Sequence, residues 1–216
     1  MPTKDLPLVI VVDDDKEIRN SVTALLSSVD IEAIAYESPA ALLSAELPDR
    51  PGCLILDVRM PGGSGLDLQR RLAGERGVAK PVIFMTGHGD IPMSVQAMKA
   101  GAIDFLIKPV REQCLLDAVT MGIERDRSQR GAAQLCDEYL QRFARLTARE
   151  REVIRHVAMG LLNKQTAHLL GISEVTVKLH RGNVMNKMGL NSVGELVRVW
   201  EIIVPHLDAG EDQDAA

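Results

Sequence analysis

The sequence has no apolar run long enough to cross a bilayer, and Met1 to Pro7 carry no hydrophobic leader. Neither a membrane-spanning nor a secreted protein is expected from such stretches. Cysteine is scarce. Cys53, Cys114 and Cys136 stand far apart and in no metal-ligand spacing. An odd, scattered set argues against a disulfide framework or a zinc site and for free thiols in a reducing cytosol, so a cytoplasmic protein is expected. No phosphate-cradling loop follows the first apolar run, Leu8 to Val12; acids stand there instead. What remains is an ordinary balance of 46% hydrophobic and 25% charged residues over 216 positions. That length suits one large domain or two small ones.

Charge divides the chain. Residues 1–126 hold 13 Lys and Arg against 19 Asp and Glu, a net −6. Residues 145–200 hold 9 Lys and Arg against 4 Glu, a net +5. Asp208 to Ala216 adds four acids and no base. An acidic front and a basic back point to different partners, with a polyanion for the second half.

In the front half, short apolar runs alternate with helical periodicity. The runs are Leu8–Val12, Glu32–Tyr36, Cys53–Asp57, Pro81–Met85 and Ile103–Ile107. Between them Ile18, Val22, Leu25, Leu26 and Val29 recur at helical spacing. Ser38-Pro39 opens a second helix, with Ser as cap and Pro at the first helical position. Gly65–Leu72, Ile91–Ala100 and Arg111–Arg125 complete the set. Five βα units imply a parallel sheet covered by helices on both sides. The expected fold is therefore α/β, a doubly wound, flavodoxin-like five-stranded parallel sheet, followed by an all-α domain.

Ligands of such sheets bind at the carboxyl ends of the strands, where strand order reverses. Those ends carry Asp13 and Asp14, Asp57, Thr86 and Lys108. An Asp at a turn serves as a helix cap just as readily, so Asp57 alone decides little. Taken together, three carboxylates in one cleft call for a cation, and a hard oxygen-liganded ion such as Mg²⁺ suits them. Asp57 then reads as a nucleophile for an acyl phosphate. Lys108 reads as a point charge for a phosphate oxygen, and Thr86 as a hydroxyl donor.

These residues resemble the receiver domains of two-component response regulators. The matching stretches are Asp13-Asp14, Leu56-Asp57-Val58-Arg59-Met60-Pro61-Gly62, Thr86-Gly87-His88-Gly89-Asp90 and Asp104-Phe105-Leu106-Ile107-Lys108-Pro109. The resemblance implies phosphorylation of Asp57 by a sensor histidine kinase. It also implies Mg²⁺ held by Asp13, Asp57 and the backbone carbonyl of Arg59, with Asp14 acting partly through water. A cis Lys108–Pro109 bond and a Thr86/Phe105 switch pair follow from the same likeness. A rival exists. Asp13-Asp14-Asp15 also resembles the Asp-x-Asp start of the haloacid-dehalogenase phosphatases. That family expects Thr or Val where this chain has Glu17, and it leaves Asp57 without a role.

Residues 127–145 read as a helical linker, with Leu135, Tyr139 and Phe143 near helical spacing and Gly131 as a weak point. Beyond it, Thr147-Ala148-Arg149-Glu150 is a capping box. Lys164–Leu170, the turn Gly171-Ile172-Ser173 and Glu174–Met188 form two helices joined by a short glycine turn, the helix-turn-helix arrangement. On the later helix Val175, Val177, Val184 and Met188 read as buried, with Leu179 or His180 partly so. Thr176, Lys178, Arg181 and Asn183 are expected to project outward. Val193–Ile203 reads as a fourth helix.

Residues 146–203 resemble the FixJ/NarL (LuxR-type) output domain, through Leu146–Val153, Gly160–Gln165 and Gly171–Arg181. By that likeness Lys178, Leu179 and Gly182 meet bases, while Lys164, Thr176 and Arg181 meet backbone or flanking edges. The helix at Val193–Trp200 is where that family dimerises. The expected organisation is a receiver at 1–126, the linker at 127–145, a DNA-binding domain at 146–204 and a disordered acidic tail at 205–216. The expected role is a non-enzymatic transcription regulator that dimerises on phosphorylation and works with double-stranded DNA and RNA polymerase. A phosphatase, or a DNA-binding protein with an unphosphorylated scaffold in front, are the alternatives.

Overall fold

All five residues of Leu8–Val12 are buried, as in a strand covered on both faces. The computed structural model describes residues 6–75, 80–87 and 91–211. It divides into two units, Met1–Arg130 and Gly131–Ala216.

The first unit runs β1 (Leu8–Val12), α1 (Lys16–Ser28), β2 (Glu32–Tyr36), α2 (Pro39–Ser44), β3 (Leu54–Asp57), β4 (Arg59–Met60), β5 (Gly63–Ser64), α3 (Gly65–Glu75), β6 (Val82–Thr86), α4 (Ile91–Lys99) and β7 (Asp104–Ile107), and holds the first part of α5 (Glu112–Ala144), whose residues from Gly131 on belong to the second unit. Five strands form one parallel sheet in the order β2-β1-β3-β6-β7. Side chains along the strands alternate between two cores. Ile10, Val12, Leu54, Leu56, Val82 and Phe84 pack with Leu42, Leu66, Leu68, Leu72 and Ala97 from α2, α3 and α4. Val9, Val11, Ile55, Ile83 and Met85 pack with Val22, Leu26, Leu115 and Val119 from α1 and α5. This two-sided cover is the doubly wound arrangement that the βα alternation predicts.

The small β4–β5 hairpin is an addition, since Pro61, Gly62 and Gly63 read only as a turn. It closes the loop after Asp57 tightly. The amide of Gly65 donates to the Val58 carbonyl at 3.1 Å. A Cβ at Gly65 would lie 2.3 Å from the Asp57 carbonyl oxygen. Only glycine lets α3 begin this close to the strand end.

Residues 127–144 of the stretch read as a linker lie in α5, which is one helix from Glu112 to Ala144. Gly131 does not break it. One mid-helix glycine costs about 1 kcal/mol relative to alanine, and the packing of Tyr139 and Phe143 outweighs that.

The second unit continues with α6 (Ala148–Ala158), α7 (Asn163–Leu170), α8 (Glu174–Met188) and α9 (Val193–Glu211). Val153, Ile154, Val157, Val177, Val184, Met188, Leu196 and Ile203 form its core. The capping box at α6 is present, with Thr147 and Glu150 satisfying each other's backbone amides. Ser173 caps α8, and Gly189 ends it in the left-handed conformation at φ 69°. The fourth helix is longer than read. It passes Pro205 and reaches Glu211, so residues 205–211 are helical rather than a disordered tail. Leu207 packs against the core and holds the extra turn. Residues 212–216 lie outside the described residues.

Candidate functional site

The first site forms at the carboxyl ends of the neighbouring strands β1 and β3, where strand order reverses. Asp13 follows β1 and is 2% exposed; Asp57 ends β3 and is 8% exposed. Lys108 reaches between them from beyond β7. Its Nζ donates to Asp13 Oδ2 at 2.6 Å and to Asp57 Oδ2 at 3.2 Å. Burial raises the Asp13 pKa, and the hydrogen bond and charge of Lys108 only partly offset this. Burial works against the Lys108 ammonium too, but its bonds to Asp13 and Asp57 outweigh it and hold the pKa above the ordinary lysine value.

The carboxylates are not spent on capping. Asp15 caps α1, accepting from the amides of Glu17 and Ile18. Asp13 Oδ1 accepts from the Asp15 amide at 3.0 Å, and Asp57 Oδ1 accepts from the Arg59 amide at 3.3 Å. Carboxylate oxygens of Asp13, Asp14 and Asp57 lie within 4.8 Å of one another, with Asp14 exposed. Hard oxygen donors at that spacing suit Mg²⁺. Arg19 had no place in the sequence reading. It donates to the carbonyls of Asp13 and Asp14 at 2.7 and 2.9 Å and pins the acidic turn. Its spacing on α1, four residues past the cap, is the only signal in the sequence.

Thr86 is buried at the end of β6, and its carbonyl accepts from the Lys108 amide at 2.8 Å. Phe105 on β7 is half-buried against the α2–α4 core. The Lys108–Pro109 bond is cis. His88, Gly89 and Asp90 of the Thr86 motif lie outside the described residues.

The second candidate surface is α8. Its exposed residues include Val175, Lys178, Leu179, Gly182, Asn183 and Asn186, which share one face. Three readings change. Val175 is 78% exposed, not buried. Two residues before the core Val177, it lies on the far side of the helix. Thr176 is half-buried with its hydroxyl on Ser173 Oγ at 2.8 Å. Arg181 is half-buried and donates to Asn163 Oδ1 at 2.9 Å. These two turn towards the protein rather than outward. Lys164 is exposed on α7.

An acidic, cation-ready cleft at a sheet switch point, in one chain with a helix-turn-helix unit, defines a signal-responsive DNA-binding regulator. Comparison with known proteins agrees. The response regulator receiver domain model matches residues 9–120. That of the bacterial regulatory proteins of the luxR family matches residues 144–200. Nodulation protein W of Bradyrhizobium diazoefficiens is 49% identical over 91% of this chain and 86% of its own. Transcriptional regulatory protein FixJ of Azorhizobium caulinodans is 44% identical over 88% of this chain and 89% of its own. A solved structure of the response regulator StyR is 45% identical with a TM-score of 0.76, covering 91% of this chain and 98% of that one. The chain belongs to the two-component response regulators with a receiver domain and a LuxR-type DNA-binding domain. No described helix is long and apolar enough to cross a membrane.

Proposed function

We infer that Asp57 accepts a phosphoryl group from a sensor histidine kinase, and that the modification controls operator binding by the second unit. The observation that carries this is Lys108 bridging Asp13 and Asp57 from a distant strand end. A cation already seated on the nucleophile is a cation ready for a phosphoryl oxygen. In the transfer, an Asp57 oxygen attacks phosphorus while the bond to the kinase histidine nitrogen breaks. The electron pair leaves with that nitrogen, and an acyl phosphate forms. Asp13, Asp14, Asp57 and the Arg59 carbonyl would hold Mg²⁺. When bound, the ion neutralises charge on the transferring group.

Lys108 then pairs with a phosphoryl oxygen, and the Thr86 hydroxyl donates to another. Movement of Thr86 opens space that the Phe105 ring fills. Beside that pair, α4 and β7 expose Ile91 at 79%, Val95 at 45%, Met98 at 47% and Ile107 at 59%. This apolar face supports dimerisation on phosphorylation. A dimer would present two α8 helices to half-sites about one helical turn apart and meet RNA polymerase at the promoter. Lys178, Leu179, Gly182 and Asn183 are the base-facing candidates. Lys164 supports backbone contact, and Thr176 and Arg181 would contribute from the flank. The logic is a population shift towards an active conformer.

Acetyl phosphate with Mg²⁺ is expected to add one phosphoryl group per chain, read by intact-mass spectrometry. Asp57→Asn abolishes the addition, and chelation of Mg²⁺ suppresses it. Modification of Asp57→Asn at wild-type yield would overturn the assignment. No modification of the wild-type chain would favour the scaffold alternative.

A further inference from the structure

The first unit holds a second buried charge cluster, which has no part in the acidic cleft. The side chains of Asp126 on α5 and of Lys80, just ahead of β6, are each 6% exposed. Asp126 Oδ2 accepts from the Gly52 amide at 2.8 Å, from Lys80 Nζ at 3.1 Å and from Arg130 Nε at 3.0 Å. Lys80 Nζ also donates to the Arg50 carbonyl at 2.6 Å, and Arg130 Nη1 donates to Asp49 Oδ1 at 2.7 Å. The loop before β3, the residue before Pro81 and β6, and α5 thus meet on one carboxylate oxygen. Packing presses them together, since a Cβ at Gly122, one turn ahead of Asp126, would stand 2.8 Å from Cys53 Cβ. A buried ion pair adds little net stability over apolar packing, and its best-attested use is to fix register.

The strands tied here are the two whose other ends carry the acceptor and the buried hydroxyl. β3 and β6 pair in parallel register, with Asp57 at the carboxyl end of one and Thr86 at that of the other. Their amino ends follow closely on Gly52 and Lys80. Each strand is a short rod with one end at the acidic cleft and the other on Asp126. α5 is gripped at the same point and then stands bare. Residues 131–135 are all exposed, and a Cβ at Gly131 would meet nothing within 4 Å. In a helix the amides of 131–134 donate to the carbonyls of 127–130, so the bare turn hangs from the clasped one. We propose that Asp126, Lys80 and Arg130 form a relay clasp, through which the state of Asp57 and Thr86 reaches α5 along β3 and β6 and sets how firmly residues 131–135 stay helical. This rests on the phosphorylation and operator-binding reading above. Packed rigid elements joined by ion pairs are a physical route for such coupling.

The test uses the full chain with and without acetyl phosphate and Mg²⁺. Amide hydrogen exchange is followed at residues 131–134, and affinity is measured for a duplex selected from a randomised pool. In the wild type, phosphorylation is expected to change exchange at these amides and to tighten DNA binding. Arg130→Gln and Asp126→Asn should take up the phosphoryl group to the wild-type extent. Both should lose the change in exchange, and their gain in affinity should fall by about two- to thirtyfold. Arg130→Lys keeps a cation one turn from Asp126 and should restore most of the gain. The Arg130 side chain is 29% exposed, so its variants should fold and decide the matter even where Asp126→Asn unfolds the first unit. If Arg130→Gln keeps the wild-type change in exchange and gain in affinity, the proposal fails and the reading of Asp57 stands. It fails equally if phosphorylation tightens DNA binding with no change at 131–134, or if Arg130→Gln blocks phosphorylation itself. If the wild type takes up no phosphoryl group, or takes one up and binds no tighter, the reading of Asp57 fails and takes the proposal with it.

Discussion

Glu150 is 3% exposed, yet it stays ionised because it is answered twice. It accepts from the Thr147 amide at 2.8 Å and from Lys187 Nζ at 2.7 Å. Burial raises its pKa, but Lys187 and Thr147 outweigh that and hold it below 4.5. A carboxyl depressed in the folded state stabilises above its unfolded pKa and loses that contribution as pH falls through the folded value. The second unit should therefore weaken on acidification below pH 4.5. Lys187→Ala should cost about 1–3 kcal/mol at pH 7. The difference from wild type should shrink in acid. Urea unfolding followed by the single tryptophan, Trp200, checks both. A pH-independent difference would remove Lys187 from this role. Residues such as Asp13, Asp57 and Lys108 were legible because each ends an apolar run, and the topology rule then brings strand ends together. Val175 was misread because apolarity was equated with burial. Arg181 was read outward because its partner, Asn163, lies on another helix, which one helix's periodicity cannot show; Thr176 was read outward because its bond to the cap residue Ser173 was not foreseen.

At the scale of elements, α8 is fastened at its end by α5. The Arg142 guanidinium donates to the Met188 carbonyl at 2.9 Å and lies over the Tyr139 ring at 5.3 Å. A cation there also complements the negative end of the helix. Gly189, left-handed at φ 69°, lets the arginine in, since a Cβ would stand 2.8 Å from Arg142 Nη1. Arg142→Ala should destabilise the unit by about 1 kcal/mol. Gly189→Ala should cost about 1–2 kcal/mol from its backbone alone. The double variant should cost less than the sum, because the methyl no longer meets a guanidinium. Urea denaturation of the three proteins measures this, and strict additivity would separate the two residues. Helix starts were easy to read, since Ser38, Thr147 and Ser173 each cap a helix where expected. Helix ends were harder. The end of α9 depends on Leu207 finding the core, and the course of α5 depends on packing that outweighs one glycine.

Over the whole molecule, the cores of the two units are built from separate sets of residues. Phe84 is fully buried in the first and Ile154 is 1% exposed in the second. Chains of this kind depart from two-state unfolding. Calorimetry should resolve two transitions. Phe84→Ala should lower one of them, with a loss of about 3–5 kcal/mol, and Ile154→Ala the other, with about 2–5 kcal/mol. If either variant lowers both equally, the units melt as one. The architecture of the first unit was the most legible feature, because five apolar runs at βα spacing admit few folds. The hairpin after Asp57 was not, because residues 59–64 carry turn signals and no apolar alternation. The acidic cleft draws its members from strand ends spread between Asp13 and Lys108. A ribosome delivers Asp57 well before Lys108, the lysine that seats against it. A nascent or truncated polypeptide that stops short of Lys108 therefore carries Asp57 without this counter-charge, and the acidic cleft is complete only once the last strand has emerged and joined the sheet.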